Sequence, residues 1–161
     1  MSRLDSVIRR LEAQRKALDW ATRDAAARPG LVLELGLGNG RTYDHLRERL
    51  PGREIVVFER TPAAHPDCMP PAGLLEVGDL RDTLPAFAAR RPREAVLVHC
   101  DLGTGESDAN AAFAGTLSRL LPPLLAPGAV ILSDQALTLG TPDIATALGL
   151  PERRYFVYRL A

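Results

Sequence analysis

The sequence predicts an α/β fold. We expect a doubly wound, mostly parallel sheet of six to seven strands, with helices on both faces, an extra helix ahead of the first strand and an antiparallel last strand. Three observations carry this expectation. Short, continuous apolar runs recur along the chain, as strands buried on both faces require. Amphipathic or alanine-rich segments of helical length separate them, the alternation of a parallel sheet covered by helices. The first run, Leu31–Leu35, passes directly into Gly36-x-Gly38-x-Gly40, where glycine lets the backbone turn sharply at the end of a buried strand.

Taken in order, Ser2-Arg3-Leu4-Asp5 has the capping-box pattern, and Leu4, Ile8, Leu11, Leu18 and Ala21 follow helical spacing. This first helix, which carries the single tryptophan Trp20, is expected to end before Arg28-Pro29-Gly30. The strands are read at Leu31–Leu35, Ile55–Phe58, Leu74–Val77, Ala95–Cys100 and Ala129–Leu132, with the alternating, aromatic Tyr155–Leu160 as an edge strand. The helices between them are read at Thr42–Leu50, at about Thr83–Arg91 and at about Ser107–Leu121. Prolines at 62, 66, 70 and 71 forbid a long helix between Glu59 and Leu74, so a short helical turn and an extended loop are expected there.

At 161 residues, 46% apolar and 25% charged, the chain has the size and composition of one soluble globular domain. Its net charge of zero points to no general nucleic-acid or anionic-membrane surface. Lys16 is the only lysine, which excludes a G-K-[ST] phosphate loop and leaves no other residue for a Schiff base. Cys68 and Cys100 fit neither a disulfide framework nor a zinc spacing, and His45, His65 and His99 form no ligand pair. With no apolar leader or membrane-length window, a cytoplasmic protein with reduced thiols is expected.

Ligands of an open parallel sheet bind beyond the carboxyl ends of its strands. Here those ends are acidic: Glu59 follows IVVF, Asp79 follows LLEVG, Asp101 follows AVLVHC and Asp134 follows AVILS, while Glu34 lies inside the end of the first strand. Phosphate would want N–H groups and cations at such a rim. Ribose hydroxyls, an exocyclic amine, an ammonium and a sulfonium want acceptors and a negative field. The glycines do not complete a dinucleotide fingerprint either, since Arg41 stands at the third glycine position of G-x-G-x-x-G.

The glycine spacing, Glu34 two residues before it, and the later acids together resemble the class I (Rossmann-like) S-adenosylmethionine-dependent methyltransferases. The resemblance covers most of residues 29–161, and in size and pattern the chain is similar to compact, stand-alone bacterial members. It implies an S-adenosylmethionine-binding domain over 29–161, preceded by a helix over 1–28 that belongs to the same domain and serves as lid or dimer helix. By this resemblance Gly36, Gly38 and Gly40 pass beneath the methionine and ribose, and Glu34 orients that loop or the methionine ammonium. Asn39, Arg41 and Thr42, at a helix N-terminus, hold the methionine carboxylate. Glu59, with Arg60 beside it, accepts both ribose hydroxyls, Asp79 and the backbone of Leu80 meet the adenine, and Asp101 faces the methionine end and the substrate.

Structural alternatives stand beside these roles. Glu59 could pair with Arg60 or Arg53, Asp79 could cap the following helix, Asp101 could organise the Gly103-Thr104-Gly105 loop, and Asp134 could be an N-cap or structural acid. Methyl transfer from a sulfonium is an in-line displacement that needs a base only when the nucleophile arrives protonated. Asp101 and Tyr43 are the catalytic candidates, Tyr43 being equally readable as a core anchor with Leu46 and Leu50. His45 is expected to face solvent, His99 to be an interior histidine bonded to backbone, and Cys100 to be a small buried hydrophobe.

The N-P-P-[YF] signature of amino-methylating members is absent after the fourth strand, where the chain reads CDLGTGES. With no basic stripe for RNA, a small-molecule methyl acceptor is expected, with neither nucleic acid nor membrane as partner. So compact a chain is expected to close its pocket by self-association as a homo-oligomer. Two alternatives remain at this stage: a non-catalytic S-adenosylmethionine-binding sensor or assembly protein, and an NAD(P)-binding oxidoreductase, which Arg41 and the lack of a Tyr-x-x-x-Lys pair disfavour.

Overall fold

A computed structural model describes residues 2–104 and 106–161. Its six strands are β1 (Leu31–Leu35), β2 (Ile55–Glu59), β3 (Leu75–Val77), β4 (Ala95–Cys100), β5 (Leu125–Ser133) and β6 (Phe156–Arg159). Four helices, α1 (Arg3–Ala26), α2 (Arg41–Arg49), α3 (Leu80–Arg90) and α4 (Ser107–Leu120), complete the framework. The strands form one sheet in the order β3-β2-β1-β4-β5-β6, parallel except for β6, which runs antiparallel to β5. Every residue of β1 and β4 is buried, as continuous apolar runs covered on both faces should be.

Two cores flank the sheet. One gathers Ala13, Ala17, Leu18 and Ala21 of α1 with Tyr43 and Leu46 of α2 against Val32, Val57 and Val130. The other packs Leu84 and Phe87 of α3 and Ala114 and Leu117 of α4 against Leu33, Val56, Val98 and Ile131. The first helix is thus part of the domain core. Its capping box forms as the sequence predicts, Ser2 accepting from the Asp5 N–H at 3.0 Å while Asp5 accepts from the Ser2 N–H. At its other end the Arg53 guanidinium donates to the carbonyls of Ala25, Arg28 and Gly30 and ties the helix end to the turn that leads into β1. The apolar spacing read as one stripe divides: Leu18 and Ala21 are buried, but Leu4, Ile8 and Leu11 are exposed, because the first turns of α1 project past the carboxyl edge of the sheet.

Other differences are local. The α3 helix begins three residues before the expected Thr83, because the Asp79 side chain accepts from the Arg81 N–H at 2.9 Å and starts it there. It also contains Pro85, which lies on the exposed side of the helix. The proline-rich connection holds two 3₁₀ turns, Pro66–Cys68 and Ala72–Leu74. Among the described residues, no helix is long and apolar enough to cross a membrane and no cluster of His, Cys, Asp or Glu is arranged to hold a metal ion.

Candidate active site

Strand order reverses at β1, whose neighbours are β2 on one side and β4 on the other. The crevice at the carboxyl ends of these strands is where ligands of open α/β sheets bind. Three adjoining cavities lie there. The first, about 400 Å³, is bounded by Gly36, Phe58, Glu59, Asp79, Arg81 and Phe113, with Arg60 and Leu80 also in its wall. The second, about 150 Å³, lies between α1 and the glycine loop, against Arg10, Gln14, Gly38, Asn39, Arg41 and Thr42. The third, about 580 Å³, is bounded by Gly103, Asp134, Gln135, Arg153 and Arg154. Gly36 borders the first two, Thr104 the first and third, and Arg10 and Asp101 the second and third, so the cavities meet around the end of β4.

The glycine loop is built for close approach. Gly38, at φ 51°, has open space where a Cβ would sit, so its backbone is the exposed lip of the crevice. Gly40 serves packing: a Cβ there would lie 2.5 Å from Cys68 Cβ, and its φ of 84° starts α2 without a side-chain cap. Glu59 holds the loop in place by accepting from the N–H groups of Leu37 at 2.9 Å and Gly38 at 3.2 Å, while its other oxygen accepts from Thr61 N–H at 2.9 Å. Burial acts to raise its pKa, but the backbone hydrogen bonds outweigh it and hold the carboxyl below the usual range. A carboxylate offers about four lone-pair sites, so two ribose hydroxyls at Glu59 would have to displace the long Gly38 bond. Neither the Arg60 nor the Arg53 guanidinium pairs with Glu59 among the described residues.

Asp79 combines both of its readings. It caps α3, pairs with the Arg81 guanidinium at 3.2 Å, and still lines the first cavity. Opposite, the Arg81 guanidinium lies 5.1 Å from the ring centroid of Phe113. Phe113 is a wall of this cavity that the sequence reading missed; its signal is the only aromatic residue in the alanine-rich Ser107–Leu120 helix.

Asp101 stands between the second and third cavities, at the end of β4. Its Oδ2 accepts from Gln14 Nε2 at 2.8 Å, and Arg10 lies 3.7 Å from Oδ1. Gln14 and Arg10 were also missed; a glutamine on the buried face of an amphipathic helix was the available signal. Among the described residues the Asp101 side chain makes no hydrogen bond to the loop after β4. Asp134 holds that loop, accepting from the N–H groups of Leu102 at 3.3 Å and Gly103 at 2.7 Å. Gly105 of that loop lies outside the described residues.

Beneath the site runs a buried polar chain. Glu34, fully buried, accepts from the Thr42 hydroxyl and is bonded at 2.6 Å to His99 Nδ1. Glu34 therefore anchors the start of α2 from below and does not reach the crevice. His99 Nε2 is bonded to the Tyr155 hydroxyl, which also accepts from Gln14 Nε2 at 3.4 Å. His99 thus bonds side chains, and not the backbone, because neighbouring strands bring Glu34 directly beside it. Burial acts to lower the His99 pKa, yet the Glu34 charge and hydrogen bond outweigh it, and the net shift is upward. The hydrogen bond to Tyr155 can run in either direction, so the chain survives with one or two protons on His99.

Tyr43 is 5% exposed in the α1–α2 core and borders none of the three cavities, the position of an anchor and not of a proton acceptor. Burial raises its pKa above the ordinary phenol value. His45 does not face open solvent; its Nε2 bonds Asp19 of α1 at 2.9 Å and ties the two helices together. Cys100 is fully buried, which pushes its thiol pKa well up and leaves it a hydrophobe.

A family model described as S-adenosyl-L-methionine methyltransferase matches residues 1–160. Among solved structures, an S-adenosyl-L-methionine methyltransferase from Silicibacter pomeroyi shares 44% identity over 100% of this chain and 99% of that one, with a TM-score of 0.91. Human methyltransferase-like protein 13, solved with S-adenosylhomocysteine, is similar in fold at 18% identity and a TM-score of 0.53, over 75% of this chain and 63% of that one. The O-methyltransferase TomG from Streptomyces achromogenes, solved with S-adenosylmethionine, shares 22% identity over 72% of this chain and 53% of that one, at a TM-score of 0.50. No sequence among the curated proteins matches. With acceptors at the strand ends, a glycine lip open to the crevice and a family match over nearly its whole length, the chain belongs to the S-adenosyl-L-methionine methyltransferases.

Proposed function

We propose that the protein transfers the methyl group of S-adenosylmethionine to a small-molecule acceptor, with the adenosine in the first cavity, the methionine end in the second and the acceptor in the third. The observation that carries this reading is the position of Asp101, which borders both the second and third cavities at the end of β4. The donor set fits the cofactor: acceptors lie where hydroxyls, an amine and a cation would sit, and uncapped helix N–H groups where a carboxylate would sit.

Phe113 and Arg81 offer flat and cationic surfaces to the adenine, beside the Asp79 acceptor and the Leu80 backbone. Glu59 accepts from the ribose while retaining the Leu37 bond. Asn39, Arg41 and Thr42, at the α2 N-terminus, receive the methionine carboxylate, with Glu34 holding Thr42 from beneath. The cofactor supplies an electrophilic methyl group on a sulfonium. The chain's part is alignment and exclusion of water. Gln14 fixes Asp101 Oδ2, and Oδ1, with Arg10 at 3.7 Å, is the oxygen that would accept the proton of an incoming hydroxyl or amine.

The small cavities, the absence of any basic stripe and the lack of a substrate domain within these residues favour a small acceptor over a polynucleotide or protein. Release of S-adenosylhomocysteine should therefore be stimulated by pools of small molecules. Stimulation by RNA or protein alone would overturn the assignment.

A further inference from the structure

The third cavity is lined by two acids and three arginines whose hydrogen bonding is unequal. Asp134 is already engaged by the N–H groups of Leu102 and Gly103 and by Gln135 Nε2 at 3.3 Å. Asp101 has one oxygen held by Gln14. Among the described residues the Arg153 side chain makes no hydrogen bond or ion pair, the Arg154 guanidinium donates only to Ser6 Oγ at 3.3 Å, and Arg10 is ion-paired with Asp101 Oδ1 at 3.7 Å. The donors that remain free are therefore guanidinium donors, at the end of the cavity formed by the turn before β6. Arg153 holds that turn at φ 55°, a conformation that glycine adopts at less cost.

We propose that Arg153 and Arg154 read an anionic group on the methyl acceptor, a carboxylate or a phosphate, and so orient its nucleophile toward Asp101. This rests on the placement of the acceptor in the third cavity. Guanidinium forks match the two oxygens of a carboxylate or phosphate. Asp101 and Asp134, which line the same cavity, repel that group, so an acceptor with one anionic end is held in one direction. A cationic acceptor would leave both guanidiniums unpaired, and a neutral one would gain little from them.

The test uses the whole protein saturated with S-adenosylhomocysteine, titrated with inorganic phosphate, benzoate, neutral benzamide and cationic benzylamine. Phosphate or benzoate should bind and the other two should not, the tighter anion identifying the group. Arg154→Gln should weaken that anion by about tenfold or more, the loss expected for a hydrogen bond to a charged group. Arg153→Gly should do the same while keeping or raising the unfolding midpoint, since glycine relieves the turn. S-adenosylhomocysteine affinity should be unchanged in both variants. Binding of neither anion, equal binding of benzamide or benzylamine, or anion affinity retained in both variants would overturn the inference. Failure of S-adenosylhomocysteine itself to bind wild-type protein would instead overturn the cofactor assignment beneath it.

Discussion

Replacing His99 by Phe keeps a ring of similar size in the sheet but removes both of its hydrogen bonds. Among the described residues Glu34, with no exposed surface, would then keep only the Thr42 hydroxyl as side-chain partner. Removing one partner of a buried ion pair costs roughly 3–5 kcal/mol, because an uncompensated charge stays behind. For a chain of this length each kcal/mol lowers the midpoint by about 2–4 °C, so His99→Phe should unfold roughly 6–20 °C earlier. Adding Glu34→Leu should recover much of that loss, since apolar replacement of a whole buried pair is often neutral. Urea and thermal unfolding of wild type, both single variants and the double variant would close the cycle. A loss under about 1 kcal/mol for His99→Phe, or a double variant as unstable as the sum of the singles, would refute the coupling.

The raised His99 pKa also sets a direction with pH. Its stabilisation is complete below the ordinary value of 6.5 and is lost as pH rises through the higher folded value, so the gap between wild type and His99→Asn should narrow on the alkaline side of unfolding curves. Glu59→Gln should weaken S-adenosylhomocysteine binding by about tenfold to a hundredfold in calorimetry, from the loss of charge-assisted hydrogen bonds. Asp79→Ala should lower stability by about 1 kcal/mol through loss of the α3 cap, whereas Asp79→Asn should keep the cap and lose cofactor affinity only. Asp101→Asn should lower kcat by at least about a hundredfold if it takes the acceptor's proton, with S-adenosylhomocysteine affinity nearly intact.

The sheet was legible because strands buried on both faces must be continuous apolar runs, and Leu31–Leu35 and Ala95–Cys100 are observed at the predicted residues. The observed β5 begins four residues before the predicted Ala129, since its pairing with β4 continues through Leu125 where apolar patterning is interrupted by Pro127 and Gly128. The acids at the strand ends were legible as a rim, but their partners were not. Glu34 binding His99, and Asp101 binding Gln14, join residues 65 and 87 positions apart, and only the register of β1 with β4 and the path of α1 bring them together. The same distance in sequence hid Phe113, Arg10 and Arg154. Tyr43 was ambiguous because the first turn of a helix after a glycine loop has one face toward the crevice and one toward the core; the ring took the core face.

The cofactor should run across the end of β1, and a crystal structure of the protein with S-adenosylhomocysteine would show that course. The adenine should lie beside Asp79 and Phe113, the ribose at Glu59, and the amino-acid end between the α2 N-terminus and Asp101. A ligand running the opposite way, or bound outside the two cavities that share Gly36, would contradict it.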